Sequence, residues 1–171
     1  MGGDSAGGYY AAMMAACNCS DKLKETLGFF PKFKFFGALL NCGIYDVSAA
    51  VDANSLHLLS QGVILSMADI KPEDLDAYEY RDVCIPVELV NKDFPPTFVI
   101  YSDYDIFCKG QGNILTDVLS KNGVYHEFYS ARYHGSNHCF SLSWYGEDAS
   151  AANELLLSFA KRLAEDKIKL E

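Results

Sequence analysis

Gly3-Asp4-Ser5-Ala6-Gly7-Gly8, followed at once by Tyr9-Tyr10-Ala11-Ala12-Met13-Met14-Ala15-Ala16-Cys17-Asn18, holds the pattern from which the fold is read. A serine flanked by glycines at G-x-S-x-G spacing belongs on a sharp strand-to-helix turn. The residues around it need little or no side chain, because the strained backbone leaves no room for one. The alanine- and methionine-rich run over residues 6–18 suits a buried helix whose small side chains let neighbouring elements approach closely. The hydroxyl of Ser5 would then stand at the mouth of that helix. The backbone N–H of Ala6 and the positive end of the helix dipole would face the point where negative charge develops on a tetrahedral intermediate. Ser5 is therefore the candidate nucleophile and Ala6 the candidate oxyanion-hole donor. Five residues matching two free positions occur by chance; the extended Gly3 to Gly8 run with a helix-like segment directly behind it is a narrower signal.

Outward from this stretch, helical and strand signals alternate, with no internal repeat, low-complexity tract or linker. Phe35-Phe36-Gly37-Ala38-Leu39-Leu40-Asn41-Cys42, closed by Gly43, is a nearly unbroken apolar run of the kind found in parallel strands covered on both faces. Residues 47–92 read as a helical excursion: Leu56, Leu58, Leu59, Val63, Ile64, Leu65 and Met67 alternate with polar groups, and Pro72 sits in the first turn of a further short helix. After Pro95-Pro96, Thr97-Phe98-Val99-Ile100-Tyr101 predicts a second strand. Ile114, Leu115, Val118 and Leu119 give helical spacing over residues 110–120, stopped by Asn122-Gly123. Val124-Tyr125-His126-Glu127-Phe128-Tyr129 predicts a third strand. Ala152, Leu155, Leu156, Phe159 and Leu163 mark one face of a closing helix with a charged tail at 161–171. This order implies an α/β fold, three-layered around a mostly parallel sheet with right-handed crossovers.

With 171 residues, half of them hydrophobic, the chain is long enough for one domain with a core and short for two, so residues 1–171 are read as a single domain. The net charge of −9 argues against a nucleic-acid partner, which needs clustered cations. No apolar run approaches the roughly 20 residues that span a bilayer, and the first residues lack the basic and apolar segments of a signal peptide. A cytoplasmic protein without a membrane span is expected. The six cysteines are therefore expected as thiols rather than as a disulfide framework. Cys17-Asn18-Cys19 has the look of a zinc fragment, but no second Cys or His pair lies at ligand spacing.

Gly3 to Gly8 resembles the G-D-S-A-G-G elbow of the hormone-sensitive-lipase-like carboxylesterases, the fold-3 group of the α/β-hydrolases. The likeness continues downstream. That family places its acid after a proline-introduced strand, and here Pro95-Pro96-Thr97-Phe98-Val99-Ile100-Tyr101-Ser102-Asp103-Tyr104-Asp105-Ile106-Phe107 matches, with Asp105 at the acid position. It places its histidine late, before a small residue and a phenylalanine, as in Asn137-His138-Cys139-Phe140. The resemblance thus covers nearly the whole chain in the order Ser, Asp, His. It implies the C-terminal part of an α/β-hydrolase fold, with His138 as the base and Asp105 holding its tautomer and stabilising the imidazolium. Asp103, two residues earlier, competes for the acid position, and His134 for the base. His126, inside a strand, and His57, inside the excursion, are read as structural or surface groups, and Asp46 as a turn or pocket residue. The implied activity is hydrolysis of a short-chain acyl ester through an acyl-enzyme, with no metal or organic cofactor required.

The departure from the family lies at the start. In the resembling enzymes several strands, a His-Gly-Gly-Gly loop with further oxyanion donors, and part of a cap precede the elbow. Here Met1-Gly2 is expected to leave no strand leading into it, and the strand at 35–42 is expected to present an open apolar edge that self-associates or takes up a complementing chain. Impaired catalysis would follow, because one oxyanion donor is worth on the order of 10²- to 10³-fold in turnover. Apolar residues of 47–92 could cover an acyl pocket, though such residues more often pack a core. Two rivals share the pattern: a hydrolase remnant that binds without catalysing, and a peptidase or thioesterase of the same fold.

Overall fold

Four strands, β1 (Gly2–Asp4), β2 (Ala38–Asn41), β3 (Thr97–Ser102) and β4 (His126–Ala131), pair in parallel in the order β1-β2-β3-β4 in a computed structural model that describes residues 1–52 and 71–165. Leu39 stands opposite Gly2 on one side and Phe98 on the other, and Ile100 stands opposite Tyr129. The helices are α1 (Ala6–Cys19), α2 (Asp21–Leu27), α3 (Val47–Asp52), α4 (Pro86–Leu89), α5 (Gln111–Lys121) and α6 (Glu147–Ala164). Side chains alternate across a strand, and the core divides accordingly. Leu40, Val99 and Tyr101 pack with Ala11, Ala12, Ala15 and Ala16 of α1 and Leu115 and Leu119 of α5. Phe98, Ile100 and Ala131 pack with Ala149, Ala152 and Phe159 of α6. Helix, sheet and helix make the three layers expected of an α/β-hydrolase.

All six residues of β3 are buried, as its apolar run predicts. The strand expected over 35–42 is shorter. Phe36 is 81% exposed, because a Cβ on Gly37 would lie 2.4 Å from Cδ1 of Leu163 and 3.0 Å from the carbonyl of Pro96, and the ladder begins only beyond that tight passage. The third strand starts two residues later than predicted, since Val124 is still held in the turn behind α5 by its N–H bond to the Leu119 carbonyl (3.0 Å). The helix α2 was not expected, although its ends carry clear signals: the Ser20 hydroxyl accepts from the Leu23 N–H (3.2 Å), and Gly28 closes it at φ 59°. Within the excursion, 3₁₀ turns at Pro72–Ala77 and Arg81–Val83 precede α4. The apolar group from Leu56 to Met67, and His57, lie outside the described residues, as does the tail beyond Glu165.

Two expectations about the start of the chain are overturned. A strand does lead into the elbow: β1 pairs with β2 over three residues. The Met1 ammonium donates to the Gly37 carbonyl (2.9 Å), and the Leu39 N–H donates to the Met1 carbonyl (2.9 Å). The edge of β2 expected to lie open is therefore covered. Glycine makes this possible, since a Cβ on Gly2 would already sit 3.0 Å from the Leu39 carbonyl oxygen. All six cysteines are free thiols. Among the described residues no helix is long and apolar enough to cross a membrane.

Candidate active site

Every strand delivers its following loop to the same sheet edge, the carboxyl end where sites of open α/β sheets assemble. Ser5 follows β1 directly at φ 53°, ψ −121°, a conformation that costs a non-glycine residue of order 1–3 kcal/mol. Its N–H donates to the Asn41 carbonyl (2.9 Å), and its own carbonyl accepts from the Gly8 and Tyr9 N–H groups (3.0 and 3.2 Å), so the turn is fastened at both ends. A Cβ on Gly3 would fall 2.2 Å from the Gly7 carbonyl oxygen, whereas one on Gly7 meets nothing among the described residues. The spacing of the two motif glycines thus reflects one close backbone crossing, with the demand on Gly3. Gly8 is less crowded, a Cβ there lying 3.1 Å from Gly43 Cα and 3.3 Å from the hydroxyl of fully buried Tyr45.

The structure brings Ser5, His138 and Asp105 together. His138 Nε2 lies 2.9 Å from Ser5 Oγ, and Nδ1 lies 2.9 and 3.0 Å from the two Asp105 oxygens. A carboxylate only accepts, so the proton sits on Nδ1 and bare Nε2 receives the serine O–H. Asp105, 2% exposed, also accepts from the Phe107 and Cys108 N–H groups (both 2.8 Å). Asn137 joins the two loops, its Oδ1 accepting from the His138 N–H (2.7 Å) and the Ile106 N–H (3.2 Å), and the Phe107 ring meets the imidazole edge-on at 4.9 Å. Below them the Ser102 hydroxyl donates to the Ser136 carbonyl, and Asp148 accepts from Ser136 Oγ (2.5 Å) and the Tyr129 hydroxyl (2.6 Å).

The competing positions lie elsewhere. Asp103 is exposed, its N–H bonded to the Ala131 carbonyl (3.1 Å). His134 is exposed among the rings of Tyr133 and Tyr104, and His126 faces Ser120 and the Val124 carbonyl. Asp46 caps α3 by accepting from the Ala49 N–H (2.9 Å). Ala6 opens α1, so its N–H is one of the first-turn donors that a helix leaves without an internal partner. Cys17 is core, and Asn18 between the two cysteines fastens the Phe33 carbonyl and the Phe35 N–H.

Burial opposes the charge on Asp105, but the His138 hydrogen bond and the Cys108 and Phe107 N–H groups outweigh it and hold the carboxyl below its ordinary value. Burial likewise opposes the imidazolium of His138, and the bond to Asp105, helped by Cys108 and Cys139, raises it. The two partners agree: their pairing favours the charged ring that forms when a serine gives up its proton. Three thiols, at Cys42, Cys108 and Cys139, border this ring, and no local motif announced them. Cys42 lowers the Cys139 thiol, against burial and with help from His138, while Cys42 is pushed up by Cys139 and by its own burial. Beside His138 opens a cleft of about 520 Å³ lined by Tyr133, Phe140, Ser143, Tyr145 and Asp148.

No known protein-family model matches the chain, and no curated protein sequence does. Solved structures do match. An inhibited form of esterase B from Lactobacillus rhamnosis superposes with a TM-score of 0.78 at 22% identity, over 97% of this chain and 53% of that one. An acetyl ester-xyloside bifunctional hydrolase from Caldicellulosiruptor lactoaceticus gives 0.67 at 16% identity, over 95% and 56%. The acylaminoacyl peptidase of Pyrococcus horikoshii gives 0.67 at 19%, over 94% and 23%. At these identities the likeness shows the fold, which is that of the α/β-hydrolases. The chain spans about half the length of the esterases it matches.

Proposed function

We propose that the chain carries the catalytic apparatus of a serine carboxylesterase. The observation that supports this most is the unbroken chain from Ser5 Oγ through His138 to buried Asp105, with the serine on a strained turn at a helix mouth. Ser5 attacks the acyl carbon while His138 Nε2 takes its proton, and Asp105 stabilises the resulting imidazolium. The Ala6 N–H donates to the oxyanion. His138 then protonates the leaving alcohol, and water hydrolyses the acyl-enzyme by the same route in reverse. Short-chain acyl esters are the substrate class. The aromatic-lined cleft beside His138 gives room for one, and two of the matching folds are named as an esterase and an acetyl ester hydrolase. A cytoplasmic setting goes with this function. Any complementing polypeptide or second copy would add at the outer edge of β1 rather than on β2.

A fluorophosphonate probe tests the proposal, with hydrolysis of p-nitrophenyl butyrate in parallel. Labelling of the wild type that disappears in Ser5→Ala is the expected result. A folded wild type that takes no label would turn the reading towards a binding remnant. Labelling accompanied by cleavage of acyl-peptides, and not of esters, would turn it towards the peptidase that shares this fold.

A further inference from the structure

Cys42 follows β2, and Cys139 follows His138. Both are held at positive φ, 46° and 51°. Both thiols sit beside the imidazole of His138. The two sulfurs and one imidazole nitrogen all lie within 4.8 Å of one another. A tetrahedral zinc with Zn–S bonds of about 2.3 Å needs its ligand atoms about 3.8 Å apart, so a contraction of about 1 Å closes the set. We propose that Cys42, Cys139 and His138 form a site for a thiophilic divalent cation, zinc in the first place, which is occupied at the expense of the Ser5–His138–Asp105 chain.

A second trio, Asp105, Cys108 and His138, also converges. It is the poorer site, because the Asp105 oxygens already accept from His138 and two backbone N–H groups. In the first trio each thiol releases its proton to solvent on binding, and two thiolates neutralise the cation, which suits a largely buried position. Of the three, His138 borders the cleft, its side chain 18% exposed, while Cys42 is buried. The functional consequence rests on the esterase reading above. Both ring nitrogens are committed, Nδ1 to Asp105 and Nε2 to Ser5, so a cation on either one breaks a link of the chain. Bound metal therefore silences the serine reversibly.

The test uses the reduced chain with cadmium as a spectroscopic probe and zinc as the natural candidate. One equivalent of cadmium should produce a thiolate-to-metal charge-transfer band. That band should be lost in Cys42→Ala and in Cys139→Ala, and kept in Cys17→Ala, with circular dichroism verifying that each variant is folded. Zinc should abolish fluorophosphonate labelling of Ser5 in the wild type, a chelator should restore it, and labelling of Cys139→Ala should persist in zinc. A band that is absent, or that survives the loss of both Cys42 and Cys139, overturns the site. Failure to label without any metal would instead sink the esterase reading, while the cadmium band would still report on the site by itself.

Discussion

At Asp105 a carboxylate stays charged although it is almost wholly buried, because an imidazole and two backbone N–H groups meet its oxygens. Replacing it by Asn should leave the loop in place but allow the wrong imidazole tautomer, lowering kcat on the order of 10⁴-fold. The same carboxylate makes stability depend on pH. Its folded value lies below the ordinary 3.8, so its contribution is complete above 3.8 and is lost as pH falls through the folded value. Urea midpoints of the wild type and Asp105→Asn should therefore converge as the solution is acidified; parallel curves would refute the assignment. Gly3 and Gly7 offer a sharper contrast. Gly3→Ala drives a methyl into backbone and should destabilise by about 1–3 kcal/mol or more, whereas Gly7→Ala, in open space on a helix, should be neutral or stabilising by about 0.5–1 kcal/mol. Equal midpoints for the two variants would contradict the crossing described. Ser5 is legible in the sequence because its turn is written by its immediate neighbours. Cys42, Cys108 and Asn137 are not, because their roles arise from contacts between loops far apart along the chain, and no local pattern encodes such a meeting.

Gln111, the first residue of α5, ties that helix to the segment behind β2. Its buried Oε1 accepts from the Tyr45 and Asp46 N–H groups (both 2.7 Å), and its Nε2 donates to the Asp46 carbonyl (3.0 Å). Gln111→Ala strands two N–H groups and a carbonyl, which should cost roughly 2–4 kcal/mol in chemical denaturation; a loss well under 1 kcal/mol would show that water replaces the amide. Elements were legible where a single period dominates. The apolar run at 97–101 reads as a strand, and the 3.6-residue spacing of Ile114, Leu115, Val118 and Leu119 places α5 to within a residue. Boundaries were less legible, because they are set by packing. The apolar residues Phe35 and Phe36 look like strand, but the crowding at Gly37 by Leu163, from the far end of the chain, delays the ladder. The three-residue β1 was missed because a pair of glycines carries no strand propensity, and pairing with β2 supplies what propensity does not.

On the scale of the whole molecule, the two faces of the sheet are sealed by different parts of the chain. α1 and α5 seal one, and the late helix α6 seals the other, where Phe159 lies 5.5 Å from Phe98 and stacks on Tyr125 at 6.3 Å. Layering of this kind was readable from the alternation of elements alone; which face each helix takes was not, since that depends on how the crossovers wind. Strand order adds something further. Ser5 follows β1, while Asp105 and His138 follow β3 and β4, which share a six-residue ladder and the Asn137 bridge. Ser5 is moored by the three paired residues of β1, the Met1 bonds to Gly37 and Leu39, and its own turn contacts. In mild urea the short strand should fray first, parting hydroxyl from imidazole while the rest of the sheet holds. Reactivity towards a fluorophosphonate should then vanish at a lower urea concentration than the circular dichroism signal, a gap that coincident curves would deny. Such a gap would make the proposed chemistry more fragile than the architecture.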